Sequence, residues 1–286
     1  MAVAVAGPPH PPGRPHNGVV LPPLASPLPV EAVTPELLAA LDTRGVAVLQ
    51  APPGSGKTTR VPLSLLGARW LAGRRVLVLE PRRVAARAAA RRMAATLDEQ
   101  LGERVGYRIR QERVASRSTR IEVVTEGVLT RMLQADPALE GVGAVLFDEF
   151  HERGITADLG LALSLDVRGA LRPDLRLVVM SATLDTAAVA RLLDDAPAVT
   201  AAAVAHPVTT VWVGRPAGRI DAAVARTVTR ALAECDGDIL AFLPGMAEIR
   251  NAARFLREDS GPALVEAGVD VVALHGALSG PDQDEA

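Results

Sequence analysis

The chain of 286 residues predicts an α/β fold in which a parallel sheet carries helices on both faces, and three observations predict it. Short runs rich in valine and leucine recur along the sequence with helical stretches between them. Those runs are apolar on both faces, as strands are when each face of their sheet is covered. The first run leads straight into Ala51-Pro52-Pro53-Gly54-Ser55-Gly56-Lys57-Thr58, which gives the strand, glycine loop and helix order of a phosphate-binding turn.

Taken in order, residues 7 to about 29 are dominated by proline with glycine and histidine and offer nothing to bury. Residues 1–29 therefore read as a disordered tail. Thr34-Pro35-Glu36 has the form of an N-cap followed by proline at the first helical position, which starts a helix at Pro35 that runs to Leu41. Strands are expected at Val46–Leu49, Val76–Leu79, Ile121–Thr125, Ala144–Phe147 and Leu177–Met180, giving a first domain over residues 30–205. The alanine-rich stretch Ala196–Ala205 reads as the crossing to a second domain over residues 206–286. There the pattern predicts strand Val208–Val213, helix Ile220–Ala233, strand Asp238–Leu243, helix Ala247–Arg257 and strand Val269–Leu274, too few elements for a complete sheet domain.

Composition narrows the classes. Hydrophobic residues make up 49% and charged residues 22% of the chain, a balance suited to a globular protein with ample core. No apolar run approaches the roughly 20 residues needed to span a bilayer, and no secretory leader is visible. The lone cysteine, Cys235, cannot form an internal disulfide or a cysteine metal site, which suits a reducing cytoplasm. A net charge of −2 excludes a positive field over the whole surface but leaves room for a local track of arginines. Two arginine-rich segments could supply one, Arg82 to Arg92 and Arg104 to Arg120, although charge runs are ordinarily solvated helix faces.

Lys57 is the chain's single lysine among 31 basic residues. A sequence that uses arginine wherever charge suffices has kept an ammonium here, a compact point charge able to reach between β- and γ-phosphates inside a tight loop. Gly54 and Gly56 free the backbone to aim its N–H groups at phosphate oxygens. Thr58 offers a hydroxyl to Mg²⁺, and the helix it opens points its positive end at the anion. The first loop position, usually glycine, is Ala51. Further on, Asp148-Glu149-Phe150-His151 follows an apolar strand. An aspartate there can hold Mg²⁺ and the next glutamate can orient and deprotonate an attacking water. Adjacent carboxylates at such a place are costly unless a cation is near.

With Ser181-Ala182-Thr183 after another strand, these segments resemble motifs I, II and III of DEAH-class superfamily 2 helicases. Glu80-Pro81-Arg82-Arg83-Val84-Ala85-Ala86 is similar to motif Ia and Thr125-Glu126-Gly127-Val128-Leu129 to motif Ib. Phe150, Glu152-Arg153 and the phrase from Gly237 to Gly245 look most like bacterial members, and the similarity runs from about Leu28 to Gln283.

The resemblance implies a RecA-like P-loop NTPase sheet followed by an incomplete second RecA-like domain. It implies an ATP-dependent RNA helicase that couples hydrolysis to translocation or unwinding, with ATP and Mg²⁺ as cofactors. Gly54, Ser55, Gly56, Lys57, Thr58 and Thr59 would surround the phosphates, Thr58 and Asp148 would hold the metal, and Glu149 the water. His151 would link the nucleotide site to Ser181 and Thr183 across a domain interface, and Arg92 would stack on adenine. Arg82, Arg83, Thr125 and Gly127 would touch single-stranded nucleic acid, expected to be RNA, through its backbone. His275 lies where the family brings a second-domain segment near nucleic acid, while His206 reads as structural. Motifs V and VI of such helicases, with their arginine fingers, are not found, so the rest of a helicase polypeptide is an expected partner. The alternative for this chain is a nucleotide- and nucleic-acid-binding module of weak catalytic power, and a translocase acting on DNA also stays open.

Overall fold

The computed structural model describes residues 27–183, 186–202, 208–214, 216, 218–235, 237–266 and 268–275. They fall into two compact units divided after residue 206.

The first unit opens with α1 (Pro29–Thr43), six residues ahead of the expected start at Pro35. The helix starts earlier because Pro29 needs no donor at its first position and the Glu31 carboxylate accepts the Leu28 N–H at 3.3 Å. Thr34 is inside the helix and turns its hydroxyl back to the Val30 carbonyl at 2.9 Å. Then follow β1 (Val46–Gln50), α2 (Lys57–Ser64), β2 (Arg75–Leu79), α3 (Arg83–Thr96), β3 (Val105–Ile109), β4 (Glu112–Val114), β5 (Ile121–Val124) and α4 (Glu126–Ala135). The unit continues with β6 (Val142–Phe147), α5 (Ile155–Ala170), β7 (Arg176–Ser181), α6 (Thr186–Leu192) and β8 (Ala198–Thr200).

The strands form one eight-stranded sheet in the order β4-β3-β5-β2-β6-β7-β1-β8, parallel except for the β3–β4 hairpin. Alternation sorts its side chains into two cores. Ala47, Leu49, Val78, Val123, Leu146 and Met180 pack with Leu37, Val61 and Met93 of α1, α2 and α3 on one face. Val48, Leu77, Leu79, Val145, Phe147 and Val179 pack with Leu129, Leu161 and Val189 of α4, α5 and α6 on the other. The five expected strands each lie within an observed one apart from Thr125, which caps α4 instead. Three strands were not expected. β3 and β4 interleave arginine and glutamate with their apolar residues, and β8 occupies three residues of the stretch read as a domain crossing.

The second unit contains α7 (Ile220–Glu234) and α8 (Met246–Glu266), packed through Ala225, Leu256 and Leu264. The three strands expected there are not formed among the described residues. Trp212, Val213, Leu240 and Phe242 are exposed, and an apolar segment without a hydrogen-bonded neighbour cannot be a strand. The expectations for residues 1–26, His206 and the final stretch from Gly276 lie outside the described residues. No helix among the described residues is long and apolar enough to cross a membrane.

Candidate nucleotide site

Because β1, β2, β5, β6 and β7 are parallel, their carboxyl ends share one edge of the sheet. The glycine loop leaves β1 on that edge. Ala51 is fully buried and its N–H bonds the Ser181 carbonyl at 2.9 Å, so the methyl that departs from the usual glycine packs beneath the loop. Gly54 at φ +75° and Gly56 at φ +91° adopt the left-handed conformation that other residues rarely take. Gly56 is also crowded, since a methyl there would meet Leu28 Cδ1 at 2.7 Å and Val30 Cγ1 at 3.2 Å. The Val30 N–H bonds the Ser55 carbonyl at 3.1 Å, so the start of α1 braces the loop directly. Ser55 is buried and its hydroxyl has no partner.

Lys57, the first residue of α2, is 4% exposed and its Nζ lies 2.7 Å from Glu149 Oε1. Burial of a lone ammonium would be costly, and the carboxylate offsets that cost. Glu149 itself sits at φ 49°, a left-handed backbone that turns its side chain back toward the loop. Beside it, Asp148 accepts the Glu149 N–H through Oδ1 at 2.8 Å while Oδ2, also buried, has no hydrogen-bond partner. Burial pushes the Asp148 carboxyl up to about 6, against the Thr58 hydroxyl and the Lys57 ammonium, which pull it down. A further acid, Glu80 at the end of β2, is 4% exposed. Burial first, then the charges of Asp148, Glu149 and Glu152, push it up to about 8. Glu80 belongs to the segment that resembles motif Ia, and its role as a buried acid is legible only from where β2 ends. Its signal was the same as that of Asp148, a carboxylate ending an apolar strand.

Phe150 anchors the turn after β6, edge-on to Phe147 with ring centroids 6.4 Å apart and with Arg153 over its face at 5.5 Å. The turn places His151 Nδ1 3.2 Å from Ser181 Oγ and 3.3 Å from Glu149 Oε2. Ser181 Oγ in turn accepts the Thr183 N–H at 3.2 Å. Lys57, Glu149, His151, Ser181 and Thr183 thus form one continuous polar chain. The expected crossing of a domain interface is corrected: the link runs inside the first unit, because β6 and β7 are neighbouring strands.

The residues expected to meet nucleic acid lie on the same edge, after β2 and β5. Arg82 is exposed and donates to Glu152 Oε1 at 2.7 Å, and Arg83 begins α3, also exposed. Thr125 holds the N-cap position of α4 without a side-chain capping bond, and Gly127 is exposed with open space beside it. Thr59 follows in α2, its N–H bonded to the Gly56 carbonyl at 3.2 Å, and Arg92 is exposed on α3. The wider arginine segments do not make one track. Arg87 pairs with Glu112, Arg104 with Glu99, and Arg108 with Glu122.

A parallel sheet with helices on both faces, a glycine loop opening a buried-lysine helix after β1 and a carboxylate pair at the end of β6, with β7 between them, define a RecA-like nucleotide-binding core. Comparison with known proteins gives the family. Residues 31–192, more than half of the chain, match the DEAD/DEAH box helicase model. The chain belongs to the DEAD/DEAH box helicase family. It is 47% identical over 262 residues to the ATP-dependent RNA helicase HrpB of Escherichia coli (strain K12), an alignment covering 91% of this chain and 32% of that protein. It is 36% identical over 248 residues to the pre-mRNA-splicing factor ATP-dependent RNA helicase prp22 of Schizosaccharomyces pombe, covering 83% of this chain and 21% of that one. The crystal structure of the Escherichia coli DEAH/RHA helicase HrpB superposes with a TM-score of 0.80 at 45% identity, over 91% of this chain and 32% of the other. The chain therefore spans about a third or less of the length of these relatives.

Proposed function

We infer that this chain carries the ATP-binding part of an ATP-dependent RNA helicase of the HrpB kind, with residues 30–205 as the first RecA-like domain and residues 206–286 as part of a second. The observation that carries the reading is the continuous chain from Lys57 through Glu149 and His151 to Ser181, set beside a buried Asp148 oxygen that nothing satisfies. The names of the relatives support RNA as the substrate.

The residues fit a magnesium-bound triphosphate. Ser55 Oγ and Asp148 Oδ2 are buried polar atoms without partners, and the charges of Asp148 and Glu149 bear on Glu80 with Lys57 acting against them. Mg²⁺ held through Thr58 and Asp148 would supply charge to the phosphate oxygens. Lys57 then leaves Glu149 for the β- and γ-phosphates, with the N–H groups of Gly54 to Thr59 around them. Glu149, released, accepts the proton of a water whose oxygen attacks the γ-phosphorus as the bond to the β-phosphate oxygen breaks. His151, touching both Glu149 and Ser181, passes the change at Glu149 to the Ser181-Ala182-Thr183 segment. Arg82, Arg83, Thr125 and Gly127 grip the RNA backbone, and Arg92 stacks on the adenine.

The test is a melting curve with and without Mg²⁺-ATP, since a ligand that binds only the folded state raises its stability. Wild type should gain several degrees at saturating nucleotide, and Lys57→Ala should lose most of that gain. An equal rise in both proteins would remove Lys57 from the phosphate site. RNA-stimulated hydrolysis abolished by Glu149→Gln separates a turning-over motor from a binding module.

A further inference from the structure

The opposite edge of the sheet carries a second cluster that the nucleotide site does not use. There, at the amino ends of β2 and β5, Arg75, Arg113, Arg117 and Arg120 line a cleft of about 530 Å³ with Ser116 and Thr119. The five residues of β2, roughly 16 Å of strand, separate it from the edge that bears the phosphate loop. No carboxylate lines it. Glu122, fully buried behind it, is shared by Arg75 at 3.0 Å, Arg108 at 2.8 Å and Arg113 at 3.5 Å. One negative charge thus stands against three positive ones, and Arg117 and Arg120 add two with no ion-pair partner among the described residues. The excess is held in place. Thr119 Oγ1 bonds the carbonyls of Gly102 at 3.1 Å and Glu103 at 2.8 Å and accepts the Ser116 N–H at 2.9 Å, which fixes the loop carrying Arg117. Arg120 Nε is buried and unsatisfied.

We propose that this cleft binds the phosphodiester backbone of a single nucleic-acid strand, as a contact separate from the one at Arg82 and Arg83. Guanidinium forks match phosphate oxygens two at a time, and four of them line this cleft. No aromatic ring lines the cleft to stack a base and no carboxylate lines it to take ribose hydroxyls, so the recognised group is phosphate and the contact is blind to sequence. Ser116 and Arg117 are exposed at its mouth, which leaves a strand free to run past it.

The experiment measures binding of a labelled oligouridylate and a mixed-sequence strand to residues 1–286 by fluorescence anisotropy across a salt series, in the wild-type and in the Arg82→Ala/Arg83→Ala backgrounds. Arg113 and Arg117 are exposed and the buried Glu122 keeps its two nearer partners, Arg75 and Arg108, so the Arg113→Ala/Arg117→Ala pair is expected to melt close to wild type. It should weaken both strands equally and lower the slope of log affinity against log salt by about 1.4, at roughly 0.7 per phosphate contact on a single strand. The loss should persist in the Arg82→Ala/Arg83→Ala background, and Arg117→Lys should keep the slope. An unchanged slope, or no residual binding once Arg82 and Arg83 are replaced, overturns the proposal. A parallel melting series with sodium tripolyphosphate separates the sources. Stabilisation that the cleft pair abolishes, with RNA binding intact, would assign the cleft to free polyphosphate and overturn the strand.

Discussion

Three carboxyl groups, Glu80, Asp148 and Glu149, meet on one strand-end edge with a single ammonium among them. Glu80 in the folded chain is raised from 4.5 to about 8, chiefly by burial and then by its acidic neighbours, and Asp148 from 3.8 to about 6. Between about pH 4.5 and 8 the folded state therefore holds a proton on Glu80 that the unfolded state has lost. Stability from this group is present below that window and falls as pH rises through it. Glu80→Gln should therefore melt where wild type does near pH 4.5 and several degrees above it near pH 8, with ~1 kcal/mol corresponding to about 2–4 °C for a chain of this size. Matching wild-type and mutant curves across the range would mean that Glu80 is solvated. Mg²⁺ without nucleotide should flatten the wild-type decline, because a divalent cation beside these groups favours their charged forms. At this scale the sequence was partly legible. Lys57, Asp148 and Glu149 stood out because residue type and spacing name their chemistry. The ion pair that joins Lys57 to Glu149 did not, because it depends on the left-handed backbone of a glutamate that no composition rule anticipates.

Elements differ in how plainly they announce themselves. β1, β2, β5, β6 and β7 were readable because both of their faces are covered, so nearly every residue in them is apolar. β4 is the sheet's far edge, where Glu112, Arg113 and Val114 are all at least partly exposed, and β3 beside it carries the half-buried Arg108. Edge strands lose the continuous apolar run, and with it the signal. The hairpin nevertheless has a tight internal constraint. A methyl on Gly106 would lie 2.3 Å from the Val114 carbonyl oxygen, a backbone atom that cannot step aside. Gly106→Ala should therefore force the β3–β4 pair apart and lower the melting temperature by about 2–12 °C, as overpacking of about 1–3 kcal/mol implies. Gly54→Ala has nothing within 4 Å of the new methyl and meets only the left-handed backbone penalty of about 1–2 kcal/mol. Equal melting points for wild type and Gly106→Ala would show that the hairpin can open without loss.

Across the whole molecule, a net charge of −2 conceals a division of sign. Acids gather at the nucleotide edge and unpaired arginines at the opposite edge, so bulk charge said little about where an anion would bind. The second unit was legible only as helices. Its apolar segments matched strands in composition, but a strand exists only with a partner to share its hydrogen bonds, and sequence does not name that partner. Replacing Arg82 and Arg83 together by alanine should weaken RNA binding alike for unrelated sequences and reduce the salt slope by about 1.4. A preference for one sequence emerging in that variant would mean that base edges, not phosphates, are read there.

The bracing of the phosphate loop by Leu28 and Val30 has a mechanical consequence. A force applied to the chain ahead of Leu28 arrives at Gly56 and the Ser55 carbonyl through two side chains and one hydrogen bond, before it meets any strand. The stretch from Leu28 to Val30 is thus a handle on the loop that would receive the triphosphate. Loosening the contacts of Leu28 and Val30 should therefore weaken the hold on nucleotide without any change at the residues that touch it. Leu28→Gly cuts this linkage at its first side chain, and should lower the affinity for Mg²⁺-ATP while leaving the helical content measured by circular dichroism as it was.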